Sequence, residues 1–138
     1  MSEKAATLRV EADLKNLARI REFILEHGTA HGGAHKAIMD LITAVDEAVT
    51  NIMIHGYRGK AGPVEVGVWH DGQMLVVQVR DKAPPFDPTE APPPDLSLPL
   101  EERPLGGLGI FMMKQSVDDL TYRSLGDGGN ELTFRKEV

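Results

Sequence analysis

Glu47 and Asn51 stand four residues apart in a stretch whose apolar residues recur at helical spacing, so a carboxylate and a carboxamide face one small volume. A carboxylate so placed can take a proton from an attacking hydroxyl or water. The amide oxygen is a hard ligand of the kind Mg²⁺ accepts, because that ion keeps several waters and takes few protein ligands. Taken alone, the pair also fits a solvated helix face. A second feature is the run Gly106-Gly107-Leu108-Gly109 ahead of a short apolar stretch. Glycines just before a helix let backbone N–H groups approach an anion, and the helix N-terminus adds favourable partial charge. The same run also suits a plain loop-to-helix junction. It is neither a Walker A loop, since no G-K-[ST] comes after it, nor a Rossmann fingerprint, since no strand immediately precedes it. The third feature is Asp81, at the end of an expected buried strand and trailed by Ala83, Pro84, Pro85, Phe86, Asp87 and Pro88. A carboxylate there can accept from an exocyclic amine such as that of adenine, or simply start a turn. His31 and His35 are four apart, but a helix is expected to start only near residue 34 and no H-E-x-x-H pattern is present, so they read as surface histidines.

The elements that must position these residues can be read from periodicity. Leu8, Val10 and Ala12 alternate with polar residues and predict a first strand. Asp13 is placed to cap a helix to about Glu26, with Leu14, Leu17, Ile20 and Ile24 on its apolar stripe and His27-Gly28 as its break. A second helix is expected from about Ala34 to His55, with Ile38, Leu41, Ile42, Val45, Val49 and Ile52 facing a sheet and Glu47 and Asn51 off that stripe. Val64, Val66 and Val68, then Asp71-Gly72, then Leu75, Val77 and Val79 predict an antiparallel hairpin that ends at Asp81. From Lys82 to Leu105 the chain holds all but one of its nine prolines. A structureless stretch of that length within one domain is a lid, a binding loop or disordered. A short helix from Ile110 to about Val117 is expected next, with Ile110, Phe111, Met112 and Met113 in the core. Strands are then expected around Leu120, Tyr122 and Ser124, and around Leu132 and Phe134, with a tight turn at Gly126 to Asn130 between them. The order β-α-α-β-β-lid-α-β-β points to helices packed on one face of a sheet.

Composition sets the outer bounds. With 138 residues and 41% hydrophobic content, one folded domain with a real core is expected. The net charge of −6 argues against a nucleic-acid backbone as the main partner, since such binders show a basic face. The absence of cysteine excludes disulfides, thiolate metal sites and a cysteine nucleophile. No apolar run reaches the roughly 20 residues that span a bilayer, and Met1 to Thr7 lacks the apolar segment of a signal peptide. A cytoplasmic protein with no membrane contact is the expectation.

Taken together, in this order and spacing, the three features resemble a known family. The run Ala44-Val45-Asp46-Glu47-Ala48-Val49-Thr50-Asn51, continuing to His55-Gly56-Tyr57, is similar to the N-box of the bacterial anti-sigma-factor serine/threonine kinases. These belong to the GHKL ATPase superfamily shared with histidine kinases, gyrase B and MutL. Asp81 to Pro88 resembles the next box, and Leu105 to Phe111 the glycine box after the lid. The resemblance covers nearly the whole chain, and the N-box and the G-G-x-G-I-F stretch are its specific parts. It implies an α+β fold, the two-layer α/β sandwich of that superfamily, with a mixed, mainly antiparallel sheet, helices on one face and an ATP lid at 82–105. Residues 1–138 would form a single histidine-kinase-like ATPase domain. ATP and Mg²⁺ are the implied cofactors. Glu47 would be the general base for a serine hydroxyl, Asn51 would hold Mg²⁺ against the phosphates, and Asp81 would bind the adenine amine. Gly106, Gly107 and Gly109 would wrap the phosphates, Arg103 would reach the γ-phosphate, and Thr133 on the last strand would support the adenine pocket. The implied partners are a sigma factor and a STAS-type anti-anti-sigma factor, the latter as the phosphorylated substrate, and the implied assembly is a homodimer. One position departs from the pattern: Ala83 stands where the family has glycine, and its β-carbon is expected to crowd the base or shift the loop.

Two other readings remain open at this level. One is an ATP-gated protein-binding switch with little or no kinase activity, which Ala83 favours and Glu47 opposes. The other is the ATPase module of a histidine kinase, which the chain supports less because it shows no dimerisation helix with a phospho-acceptor histidine.

Overall fold

The computed structural model describes residues 5–85, 87, 107–126 and 128–137. The expected strand β1 (Ala6–Glu11) forms, with Val10 turned into the core. Asp13 does act as a cap, its Oδ1 accepting from Lys15 N at 3.0 Å. The first turn after it is a 3₁₀ turn (Leu14–Asn16), and helix α1 proper is Leu17–Ala30. Leu14, expected on the apolar stripe, is 67% exposed. A turn of three residues per revolution is out of phase with the 3.6-residue helix behind it, so Leu14 falls off the buried face.

The helix expected to stop near Glu26 runs on to Ala30, with the supposed breaker Gly28 buried inside it. A Cβ at Gly28 would lie 3.1 Å from Ile38 Cγ1 and 3.3 Å from Leu75 Cδ2. The missing side chain thus lets α1 come close to its neighbours, and that packing outweighs the weak helix propensity of glycine. The stop comes at Gly32, whose φ is +80. Gly32 N donates to Thr29 O and Gly33 N to Gly28 O, both at 2.9 Å, which is a Schellman closure.

Helix α2 (His35–Asn51) buries its stripe: Ile38, Leu41, Ile42, Val45 and Val49 are all in the core. Arg21 Nε donates to both carboxylate oxygens of Asp46, at 3.0 and 2.9 Å, and ties α1 to α2. Beyond Asn51 the chain stays helical but widens into a π turn (Ile52–Gly56), closed by Tyr57 N donating to Ile52 O at 2.7 Å. Such wide turns cluster at functional sites.

Strands β2 (Pro63–Asp71) and β3 (Met74–Asp81) make the expected hairpin. Its two-residue loop is Gly72-Gln73 rather than Asp71-Gly72, because Asp71 already pairs with Met74. Gly72, at φ +61, takes the first central position, which only glycine fills readily in a type II′ turn. Helix α3 (Gly107–Ser116), β4 (Asp119–Ser124) and β5 (Asn130–Glu137) complete the described chain. Met113 is fully buried, whereas Met112, also expected in the core, is 43% exposed. The two are adjacent on a helix and cannot share a face. The side chains of Ile110 and Phe111, expected beside them, lie outside the described part of the structure.

The sheet order is β1-β2-β3-β5-β4, and every neighbouring pair is antiparallel. The two-layer α+β architecture is therefore present, with antiparallel pairings alone among the described strands. Val64, Val66, Val68, Val77, Val79, Leu132 and Phe134 line the face that packs on the helices. The opposite face carries a row of alternating charge in direct register across all five strands: Arg9, Glu65, Arg80, Glu131 and Arg123. Arg80 Nε and Arg123 Nη2 donate to Glu131 Oε2 at 2.8 and 3.0 Å.

Candidate functional site

Asp81 ends β3 on the helix-facing side, and its register partner on β5 is Asn130. Both are buried, at 4% and 6% exposure. Asp81 Oδ1 accepts from Ala83 N at 2.8 Å and from Asn130 Nδ2 at 2.9 Å. Asn130 Nδ2 also reaches Ala83 O at 3.3 Å and Pro84 O at 3.2 Å, and Tyr122 donates its phenol proton to Asn130 Oδ1 at 2.6 Å. One oxygen of the carboxylate is thus fixed by two donors, and the other is left to accept from a ligand. Burial pushes the Asp81 pKa above the ordinary carboxylate value, and the bonds from Asn130 and Ala83 N pull against that rise. Gly129, at φ +113, packs its backbone against Asp81 O so closely that a Cβ there would collide with it.

A pocket opens beside this carboxylate. Asn51, Ile52 and Gly56 wall it from α2 and the wide turn, Ala83 and Pro84 from the segment after β3, Met113 from α3, and Asn130 and Leu132 from β5. Asn51 Nδ2 is buried without a hydrogen-bond partner. An unsatisfied buried amide costs about 1–3 kcal/mol, and on a pocket wall it is satisfied by whatever enters. A half-turn of the same amide presents its oxygen instead. Nitrogen suits a phosphate oxygen and oxygen suits Mg²⁺, so this residue fits the ion together with its anionic partner. Among the described residues no group of three His, Asp or Glu is placed to hold a metal.

Ala83 is 2% exposed, and its methyl group occupies the space beside Gly56. A Cβ on Gly56 would lie 2.8 Å from the Ala83 Cβ. The β-carbon expected to crowd the site is therefore housed by the absence of one across the pocket.

The structure brings Asp81 and Asn51 to one pocket. Glu47 sits half-buried one turn before Asn51 and is not among the pocket's lining residues. Gly107 and Gly109 lie within the first turn of α3 rather than in a loop ahead of it. Backbone N–H groups in a first helical turn have no partner inside the helix, and these are the groups a helix offers to an anion. Gly106, Arg103 and most of 82–105 fall outside the described residues. Thr133 is the residue that the fold places elsewhere. By the two-residue period of β5 it shares the open face with Glu131 and Arg135, and its hydroxyl accepts from Gln78 Nε2 at 3.3 Å. Asn130, not Thr133, is the β5 side chain that meets Asp81. The signal for it was a polar residue at the strand end in phase with Leu132 and Phe134.

Among the described residues no helix is long and apolar enough to cross a membrane. A family model described as a histidine kinase-like ATPase domain matches residues 10–136. The serine-protein kinase RsbW of Bacillus cereus is 29% identical over 119 residues, 82% of this chain and 73% of that protein. The anti-sigma F factor of Thermoanaerobacter sp. is 32% identical over 102 residues, 73% of this chain and 71% of that protein. Among solved structures, the RsbU and RsbW domains of Rv1364c from Mycobacterium tuberculosis superpose with a TM-score of 0.67 at 18% identity. That match covers 98% of this chain and 32% of the solved one, and it concerns the fold.

Proposed function

The chain belongs to the histidine kinase-like ATPase domain family, in the branch of the anti-sigma-factor serine kinases, and on that footing we propose that it is a protein serine/threonine kinase that moves the γ-phosphoryl group of ATP to an anti-anti-sigma partner. The observation that carries this reading is the pairing, in one pocket, of a held carboxylate at Asp81 with the unsatisfied buried amide of Asn51. The first selects an exocyclic amine and the second needs a polar ligand atom. We read the whole chain as one such domain, with 82–105 as its lid, acting in the cytoplasm as a homodimer.

In this mechanism Asp81 accepts from the adenine amine, and the amide of Asn51 faces the phosphates. The backbone N–H groups of Gly106, Gly107 and Gly109 cradle the phosphate oxygens at the start of α3. Arg103 meets the γ-phosphate. Glu47 takes the proton of the partner's serine hydroxyl as its oxygen bonds to the γ-phosphorus, the bond to the β-phosphate oxygen breaks, and ADP leaves. Mg²⁺, when bound, neutralises charge on the phosphates. Whether the sigma factor is released or sequestered depends on which partner the nucleotide state favours.

A second reading, an ATP-gated binding switch with little turnover, draws on Glu47, which is not among the residues that line the pocket. Incubation with γ-labelled ATP and a purified anti-anti-sigma protein separates the two. The kinase reading expects label on the partner's serine and its loss in Glu47→Ala. Equal labelling by wild type and variant removes Glu47 as the base. Partner binding that depends on ATP without any labelled product supports the switch instead.

A further inference from the structure

Tyr57 has no part in the roles above, yet it joins three segments of the site. Its amide closes the wide turn after α2, and its side chain then leaves the helix for the sheet. The phenol donates to Pro63 O at 2.7 Å, where β2 begins, and accepts from Lys82 N at 2.7 Å, just past β3. Its ring lies over Gly62 so closely that any Cβ there would overlap it. Gly62 O in turn accepts from Ala12 N at 2.8 Å, beyond the end of β1. Burial raises the Tyr57 pKa against the opposing bond from Lys82 N, so the phenol keeps its proton, and both bonds, across the neutral range.

We propose that Tyr57 is a positioning residue for base selectivity: through Lys82 N it holds the Asp81–Ala83 segment so that Ala83 N and Asn130 Nδ2 both reach Asp81 Oδ1 and the other carboxylate oxygen keeps one direction. This rests on the reading of Asp81 as the adenine contact. Lys82 N belongs to the peptide that joins Asp81 to Lys82, and Ala83 N to the next one. A displacement at Lys82 therefore moves the carboxylate and one of its two donors together. A carboxylate held in one direction accepts from an exocyclic amine and opposes an exocyclic oxygen, and a loosely held one discriminates less.

The test uses the full chain. Tyr57→Phe keeps the ring over Gly62 and removes only the hydroxyl. ATP and GTP affinities are measured for both proteins under one set of conditions, with amide exchange at Lys82 monitored in parallel. Of the two bonds the hydroxyl makes, the one from Lys82 N bears on the carboxylate, and the loss of its net worth predicts ATP binding weaker by about three- to tenfold. GTP binding stays as it was, so the ATP-to-GTP ratio contracts by the same factor, and the Lys82 amide exchanges faster. A purely structural role for Tyr57 lowers the melting temperature and leaves that ratio at its wild-type value, and this result overturns the proposal. Wild type that shows no preference for ATP overturns the Asp81 reading, and the proposal falls with it. A wild-type preference that Tyr57→Phe retains in full overturns the Tyr57 assignment alone.

Discussion

Asp81→Asn should make the protein more stable and less able to bind its nucleotide. The side chain keeps its shape, and the Oδ1 position still accepts from Ala83 N at 2.8 Å and Asn130 Nδ2 at 2.9 Å. What is lost is the charge, and with it the acceptor at the second oxygen. Burial is the largest influence on this carboxyl and raises its pKa despite both bonds. A carboxyl whose folded pKa is raised contributes stability below its unfolded value, near 3.8, and that contribution is lost as pH rises through the folded value. At pH 7 the ionised group is therefore a cost to the fold, and the amide, which cannot ionise, removes it. The melting temperature of Asp81→Asn should exceed that of wild type at pH 7, and the gap should close as pH falls toward 3.8. For binding, a hydrogen bond to a charged acceptor is worth about 1.5–3 kcal/mol, which corresponds to roughly ten- to a hundredfold weaker ATP affinity. Thermal melts across pH and calorimetric titration with ATP read the two effects separately. A lower melting temperature at pH 7 would refute the argument that burial dominates at this carboxyl. Unchanged ATP affinity would refute its role in binding the base.

Two further substitutions probe the same pocket. Asn130→Ala removes the donor to Asp81 and leaves the Tyr122 phenol without its acceptor. It should cost about 2 kcal/mol in chemical denaturation and raise the Asp81 pKa further, so ATP binding should fail at a higher pH than in wild type. Gly56→Ala places a methyl group 2.8 Å from that of Ala83, and overpacking of this kind costs about 1–3 kcal/mol. Adding Ala83→Gly to Gly56→Ala should restore most of that loss, and a double-mutant cycle with no coupling would contradict the contact.

The helical layer was legible because its signal is long. Ile38 to Ile52 repeat at one period over four turns, and no competing pattern interferes. The hairpin was legible from alternating valines, though its loop lies one residue later than expected, since both Asp71-Gly72 and Gly72-Gln73 satisfy turn chemistry. Asp81 and Asn51 were each ambiguous alone and could be singled out only by their order and spacing with the glycine run. Gly28 could not be read correctly, because its place inside a helix depends on the approach of Ile38 and Leu75 from distant parts of the chain. The widening at Ile52–Gly56 leaves the apolar pattern nearly unchanged, so periodicity does not report it. Asn130 was read as the end of a turn and Thr133 was named for the pocket, because a strand's phase is fixed by its neighbours, and Asn130 lies opposite Asp81 only once β5 has paired with β3.

The row of charges on the open face has a bearing on ionic strength. Strand β4 lies at the edge of the sheet, paired only with β5. On the open face its side chains are tied there by polar bonds, from Arg135 to Asp119 at 3.3 Å and to Thr121 at 3.5 Å, and from Arg123 to Glu131 at 3.0 Å. Arg123 is 66% exposed, so added salt screens its pair and weakens the hold of β4 on β5. Tyr122 stands between Thr121 and Arg123 on that strand, and it is the residue that grips Asn130 from the other face. Salt acting on one side of an edge strand thus loosens the hold on the carboxylate at the end of β3, two strands away.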